Sequence, residues 1–290
     1  MRSVSKSLIV IASLALTSLA GVPTAIFHGF GDSCIFPGMW EFTDQIANVT
    51  NAYATCVEIG WGTTTSIFEN FETQAEEACR KVQADPNFQG EFNVVGLSQG
   101  GLLARHIVER CATQGQPRNL ITIGAPNFGV SASPHCFSGM FCDMINYVID
   151  NMVYFSYLQD NIGPAGYFRD PADLTTYLEY SVFLPYLNNE RAENFTQSIN
   201  NRFTGLNGAM FIMFSNDTMI YPKETAWFYQ LEADYETITP VTETEFYKQD
   251  LIGLKTLNEA GRVQFVEWTG DHLQFSFDKI NSVLGPFLNK

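Results

Sequence analysis

Gly96-Leu97-Ser98-Gln99-Gly100 lies between two segments of opposite character. Before it, Phe92, Val94 and Val95 are the β-branched and aromatic types that suit a strand. After it, Leu102, Leu103, His106, Ile107 and Arg110 recur at helical spacing. A Gly-x-Ser-x-Gly run at a strand-to-helix junction is where a nucleophile elbow forms, with glycines leaving room for a strained backbone. Such a turn holds the serine hydroxyl at the carboxyl end of a sheet and aims the N–H groups of the following helix at incoming negative charge. A plain turn entering a helix would carry the same five residues. It would demand nothing of the rest of the chain, so the rest of the chain is the test.

Working outward, β-type runs recur at 24–27, 53–59, 92–95, 120–123, 210–214 and 263–268, and helix-type stretches separate the first four. In one of these, Ile67, Phe68, Phe71, Ala75, Ala78, Cys79 and Val82 share a face, and Ser66 with Glu69 has the spacing of a capping box. Strand-helix alternation predicts an α/β fold, specifically an α/β-hydrolase if the elbow is real, with a mostly parallel sheet covered on both faces. The alternation stops at about 127–208, which is rich in Phe, Tyr, Leu and Met and broken by Pro134, Pro164, Pro171 and Pro185. This segment is expected to be a helical insertion over the carboxyl ends of the strands, where α/β sheets bind ligands. Packing onto the sheet accounts for most of its aromatics, and the remainder would wall a greasy substrate.

The chain has 290 residues, 46% of them hydrophobic and 16% charged, as in a core-forming globular protein. A formal net charge of -15 argues against a nucleic-acid partner, which such a surface would repel. Residues 1–20 read as a signal peptide: Arg2 and Lys6, an apolar run too short to span a bilayer, then Ser18-Leu19-Ala20. An N-terminal anchor is the alternative. Residues 21–290 are then expected to be one catalytic domain, without a transmembrane segment. The six cysteines (34, 56, 79, 111, 136 and 142) lack Cys-x-x-Cys spacing and read as three disulfides, with only Cys136 and Cys142 suggested as partners by proximity. Asn48, Asn194 and Asn216 begin Asn-x-Ser/Thr sequons, which are usable acceptors on the secretory route.

A serine hydroxyl needs a base within hydrogen-bonding reach. Of the four histidines, His106 lies on the same helix as Ser98, about 12 Å along at about 1.5 Å per residue. His28 stands in a Gly-rich loop that suits an oxyanion hole better than a base, and His135 is beside Cys136. His272 remains, just after the last β-type run. The orienting acid should lie between Ser98 and His272 in the chain. Asp217 follows the run at 210–214 and is preferred to Asp271, which neighbours His272, and to Asp234 and Asp250 in polar, loop-like stretches. The expected oxyanion donors are the backbone N–H groups of Gln99 and of Phe30, in His28-Gly29-Phe30-Gly31-Asp32.

These residues resemble the palmitoyl-protein thioesterase family. The resemblance rests on His28-Gly29-Phe30-Gly31-Asp32-Ser33-Cys34, Gly96-Leu97-Ser98-Gln99-Gly100-Gly101, Asn216-Asp217-Thr218 and Gly270-Asp271-His272-Leu273-Gln274, with Glu58-Ile59-Gly60 and Asn189-Glu190-Arg191 between them. It runs in order from about Thr24 to the C-terminus. It implies an α/β-hydrolase that removes long-chain acyl groups from cysteine thioesters, typically in lysosomes, with Ser98, Asp217 and His272 as triad and the insertion holding the acyl chain. It also implies the pairs Cys79–Cys111 and Cys136–Cys142, which leaves Cys34–Cys56 by elimination. The chain departs from the family in three places. Cys34 is followed by Ile35 where animal members have a second cysteine, Phe30 replaces the usual methionine, and Phe128 stands where a histidine is usual.

The expected activity is therefore a serine thioesterase acting on S-acylated proteins or peptides and fatty acyl thioesters, in the lysosome or secreted. No metal or organic cofactor is required. A monomer is the expected oligomeric state. A lipase or carboxylesterase acting on oxygen esters could use the same triad. A lipid-binding protein without turnover is the alternative from another class.

Overall fold

The computed structural model describes residues 21–131, 143–144, 146–147 and 152–290. Its centre is a six-stranded parallel sheet in the order β2-β1-β3-β4-β5-β8. The strands are β1 (Thr24–Phe27), β2 (Ala54–Cys56), β3 (Glu91–Leu97), β4 (Gln116–Ile123), β5 (Gly208–Phe214) and β8 (Val263–Trp268). Two short strands, β6 (Gln230–Leu231) and β7 (Ile238–Thr239), form a separate antiparallel ribbon.

The period-two geometry of a strand explains why these runs are apolar throughout rather than alternating. Phe92, Val94, Leu120, Ala209 and Phe211 face one core. Val95, Leu97, Ile121, Ile123, Met210, Ile212 and Phe214 face the other. The second core is closed by Met39, Phe42 and Ile46 of α1 (Pro37–Thr50) and by Ile280, Leu284 and Phe287 near the C-terminus. The first is closed by α3 (Phe71–Ala84), α4 (Gly100–Glu109) and the insertion. Burying each such side chain contributes roughly 1.5–3 kcal/mol.

The helix expected from Ser66 onward is two helices. A short α2 (Thr63–Phe68) ends at Glu69, whose backbone is extended, and α3 starts afresh at Phe71. Its N-cap is Asn70, whose side-chain oxygen accepts the Thr73 N–H at 3.1 Å, so Ser66 and Glu69 form no capping box. The Ser66 hydroxyl instead accepts the Gly31 N–H at 2.9 Å and donates to the Thr63 carbonyl at 2.8 Å. Phe68, expected on the apolar face, is 59% exposed. The strand expected at 53–59 is only Ala54–Cys56, because the chain leaves the sheet as Glu58 turns to other partners.

Among the described residues the insertion contains no strand of the sheet, only an isolated bridge between Val130 and Phe168. It packs on α4, whose ten residues are all buried. A helix buried all round must pair its charges. Arg105 and Glu109, both 0% exposed, meet at 2.8 Å. The guanidinium also donates to the Asn127 carbonyl at 2.6 Å and to Asn188 Oδ1 at 2.9 Å. Cys34–Cys56 and Cys79–Cys111 are disulfides, each contributing roughly 3–4 kcal/mol by restricting the unfolded chain. The expected pair Cys136–Cys142 and His135 lie outside the described residues.

Candidate active site

Parallel strands paired in register bring their carboxyl ends to one edge. Phe27 pairs with Gly96, Leu97 with Ile123, Ile123 with Ile212, and Phe214 with Trp268. Ser98, Asp217 and His272 follow three of these ends, and the His28–Asp32 loop follows a fourth.

Ser98 has φ 51°, a left-handed conformation that costs a non-glycine residue about 1–3 kcal/mol. The turn is held by the Ser98 N–H on the Ile123 carbonyl at 2.8 Å and the Gly101 N–H on the Ser98 carbonyl at 2.9 Å. Its glycines are needed for close approach. A Cβ on Gly96 would stand 2.2 Å from the Gly100 carbonyl oxygen, and one on Gly100 would stand 2.4 Å from those of Phe27 and His28.

Ser98 Oγ lies 2.9 Å from His272 Nε2, and His272 Nδ1 lies 2.7 Å from Asp217 Oδ2. The imidazole and carboxylate are 7% and 3% exposed, so water competes little for these bonds. Asp217 Oδ1 accepts the Met219 and Ile220 N–H groups, each at 2.9 Å. One carboxylate oxygen is thus fixed by backbone and the other is left for the ring. Phe214 packs edge-on against His272.

The other candidates are placed elsewhere. Asp271 caps the turn, accepting from Thr218 N–H and Oγ1 and from the His272 N–H. Asp234 and Asp250 accept backbone N–H groups in local turns. His106 is buried, and desolvation with the nearby Arg110 charge lowers its pKa to about 3. It is a neutral core residue. Asn48 and Asn216 are exposed.

Two clusters around the elbow were not expected. The Gln99 side chain is buried, donating to the Ser66 carbonyl at 3.0 Å and to Gln74 Oε1 at 3.4 Å, while accepting from the Tyr167 hydroxyl at 2.7 Å. Burial raises the Tyr167 pKa well above its ordinary value, so the hydroxyl remains a donor. This bond ties the insertion to the residue after Ser98. The second cluster joins His28, Glu58 and Ser33, with His28 Nε2 2.7 Å from Glu58 Oε1 and Ser33 Oγ donating to Glu58 Oε2 at 2.5 Å. Glu58 is legible in the Glu58-Ile59-Gly60 run of the resemblance, and it stands just past β2, at the same edge as the triad. His28, Cys34 and Glu58 gather three metal-ligating types. The Cys34 sulfur is in a disulfide and both Glu58 oxygens already accept hydrogen bonds, so the donor set does not fit a cation.

The parallel six-stranded sheet with its elbow defines an α/β-hydrolase fold. Carboxyl esterase 2 of the mycorrhizal fungus Tuber melanosporum shares it at TM-score 0.50 and 12% identity, over 93% of this chain and 79% of that one. Residues 23–272 match the family model "Palmitoyl protein thioesterase". Palmitoyl-protein thioesterase 1 of Caenorhabditis elegans is 34% identical over 87% of each chain. Palmitoyl-protein thioesterase 3 of Dictyostelium discoideum is 32% identical over 92% of this chain and 90% of its own. The chain belongs to the palmitoyl-protein thioesterase family and is a thioester hydrolase.

Proposed function

We propose that Ser98 is the nucleophile, His272 the base and Asp217 the orienting acid in hydrolysis of long-chain acyl thioesters, palmitoyl above all, on cysteines of proteins or peptides. The observation that carries this is the unbroken hydrogen-bond line from Ser98 Oγ through His272 to Asp217 Oδ2. His272 Nε2 takes the Ser98 proton as Oγ bonds to the thioester carbonyl carbon. The oxyanion is met by the backbone N–H groups of Gln99 and Phe30. The C–S bond breaks, the thiolate takes the proton from His272, and an acyl-serine remains. Water then bonds to the acyl carbon as His272 Nε2 takes its proton, the acyl C–Oγ bond breaks, Ser98 Oγ recovers that proton from His272, and the fatty acid leaves.

The acyl chain is assigned to the insertion at 127–208. Support comes from a largely apolar pocket of ≈ 430 Å³, lined by Val153, Tyr154, Phe155, Phe168 and Tyr180 of the insertion with Tyr235 beyond it, and with Asp170, Asp173 and Thr176 as its polar wall. Residues 1–20 are assigned as a leader and 21–290 as one catalytic domain, in the lysosome or secreted. Several relatives are named lysosomal thioesterases, among them one from Drosophila melanogaster, and among the described residues no helix is long and apolar enough to cross a membrane. Asn48, Asn194 and Asn216 are the proposed glycan acceptors, and Cys136–Cys142 the third disulfide. The chemistry uses no metal or organic cofactor.

The test is turnover of matched palmitoyl thioester and palmitoyl oxygen-ester substrates by wild type and Ser98→Ala. Preference for the thioester, abolished in the variant, is expected. Equal or faster oxygen-ester turnover would make the chain an esterase instead.

A further inference from the structure

Below the loop that carries Phe30, His28 is 4% exposed and its ring is engaged on both sides. Nδ1 lies 2.9 Å from the Gly29 carbonyl oxygen and Nε2 lies 2.7 Å from Glu58 Oε1. A carbonyl oxygen and an ionised carboxylate can only accept, so both ring nitrogens must carry protons. The ring is an imidazolium. Glu58 is held in turn: Oε2 accepts from the Ser33 hydroxyl at 2.5 Å and from the Cys34 N–H at 2.8 Å. Burial pushes the Glu58 pKa up, but hydrogen bonds from His28 and Ser33 and the His28 charge outweigh it and bring it down to about 2. Burial pulls the His28 pKa down, and the bonds to Glu58 and Gly29 with the charges of Glu58 and Asp32 more than reverse this.

The Gly29 carbonyl and the Phe30 N–H are the two ends of one planar peptide unit. Fixing the oxygen therefore fixes the direction of the N–H. The unit lies against the nucleophile, since a Cβ on Gly29 would stand 3.0 Å from Ser98 Cβ and 3.6 Å from Ser98 Oγ. A glycine at this position gives the peptide freedom to rotate, and among the described residues a weaker bond from the Asp32 N–H, at 3.4 Å, also restrains the oxygen.

We infer that His28, held protonated by Glu58, is a positioning residue: its Nδ1–H grips the Gly29 carbonyl so that the Phe30 N–H points at the developing oxyanion. The inference rests on the assignment of the Phe30 N–H as oxyanion donor. A histidine that merely tied the loop to Glu58 would need only its outer nitrogen, whereas positioning the peptide needs the inner one.

The two roles separate in His28→Asn and His28→Gln. An asparagine amide nitrogen falls where Nδ1 was, and a glutamine amide nitrogen falls where Nε2 was. His28→Gln is expected to lower kcat on a palmitoyl thioester about 10- to 100-fold with KM within about 2-fold, the scale of a misplaced catalytic group. His28→Asn is expected to retain at least about a third of kcat. The reverse order, or equal losses, overturns the inference. If neither variant folds, wild type decides. With ¹⁵N-labelled histidine, one ring should keep both nitrogens protonated at pH 7.5, where an ordinary imidazole is neutral, and its absence overturns the inference. Fluorophosphonate labelling of wild-type Ser98 is the control for the underlying assignment. Without labelling both fall; with labelling and full kcat in His28→Gln, only the role of His28 falls.

Discussion

The strand-end edge and the insertion at 127–208 are built by different means. At the edge, position is set by backbone: a strained φ at Ser98, glycines that admit no Cβ, and main-chain N–H groups on Asp217. In the insertion, position is set by side chains: Arg105 bonded to Asn127 and Asn188, and Tyr167 on Gln99. Backbone constraints tolerate almost no substitution, whereas packed side chains can be exchanged for others of similar volume. The residues proposed for the chemistry therefore lie on the edge, and the residues proposed to hold the acyl chain lie in the insertion.

Four substitutions would break or sharpen this contrast. At the edge, Ser98→Ala should lower kcat by about 10⁶-fold, the scale seen when a serine nucleophile is removed. Thioester hydrolysis in purified protein measures it, and a loss under 100-fold would place the nucleophile elsewhere. Asp217→Asn should cost about 10⁴-fold, because the amide favours the wrong tautomer of His272. Retained burst kinetics in that variant would show that the carboxylate does not orient the ring. Between the two regions, Glu109→Ala leaves the buried Arg105 charge without its carboxylate, bonded only to the neutral Asn127 and Asn188 acceptors among the described residues, and should destabilise by about 3–5 kcal/mol. Urea unfolding would read this, while kcat of the folded protein should stay within about 3-fold. In the insertion, Val153→Trp should raise KM about 10-fold for a palmitoyl thioester and leave an acetyl thioester unchanged. Equal effects on both acyl lengths would remove the acyl chain from that pocket.

The edge was largely legible before the fold was known. Ser98, Asp217 and His272 each follow an apolar run, and parallel strands must present such positions together. Local competition hid the rest. Ser66 and Glu69 have capping-box spacing, but Asn70 is the better cap and Ser66 is drawn to Gly31. Glu58 reads as a strand residue until β2 is seen to stop at Cys56. The insertion has neither a period of two nor one of 3.6, since prolines divide it into short helices such as Ser156–Asn161 and Leu184–Leu187. Contacts such as Tyr167 with Gln99, 68 residues apart, leave no local trace.

The part-buried His28–Glu58 pair gives the loop after β1 its own dependence on acidity. The folded-state pKa of Glu58 is about 2 against an ordinary 4.5, so its share of stability is complete above pH 4.5 and is lost as pH falls towards 2. That of His28 is raised above 6.5, so its share is complete below pH 6.5 and is lost as pH rises through the raised value. Both shifts describe one interaction, with Asp32 the further charge acting on the ring, and it is whole only where the two ranges overlap. The stability difference between wild type and Glu58→Gln should therefore be greatest between pH 4.5 and 6.5, and a difference that grew above pH 7 would contradict the pairing. The loop is therefore set most firmly in mildly acidic solution, because one ion pair is complete only there.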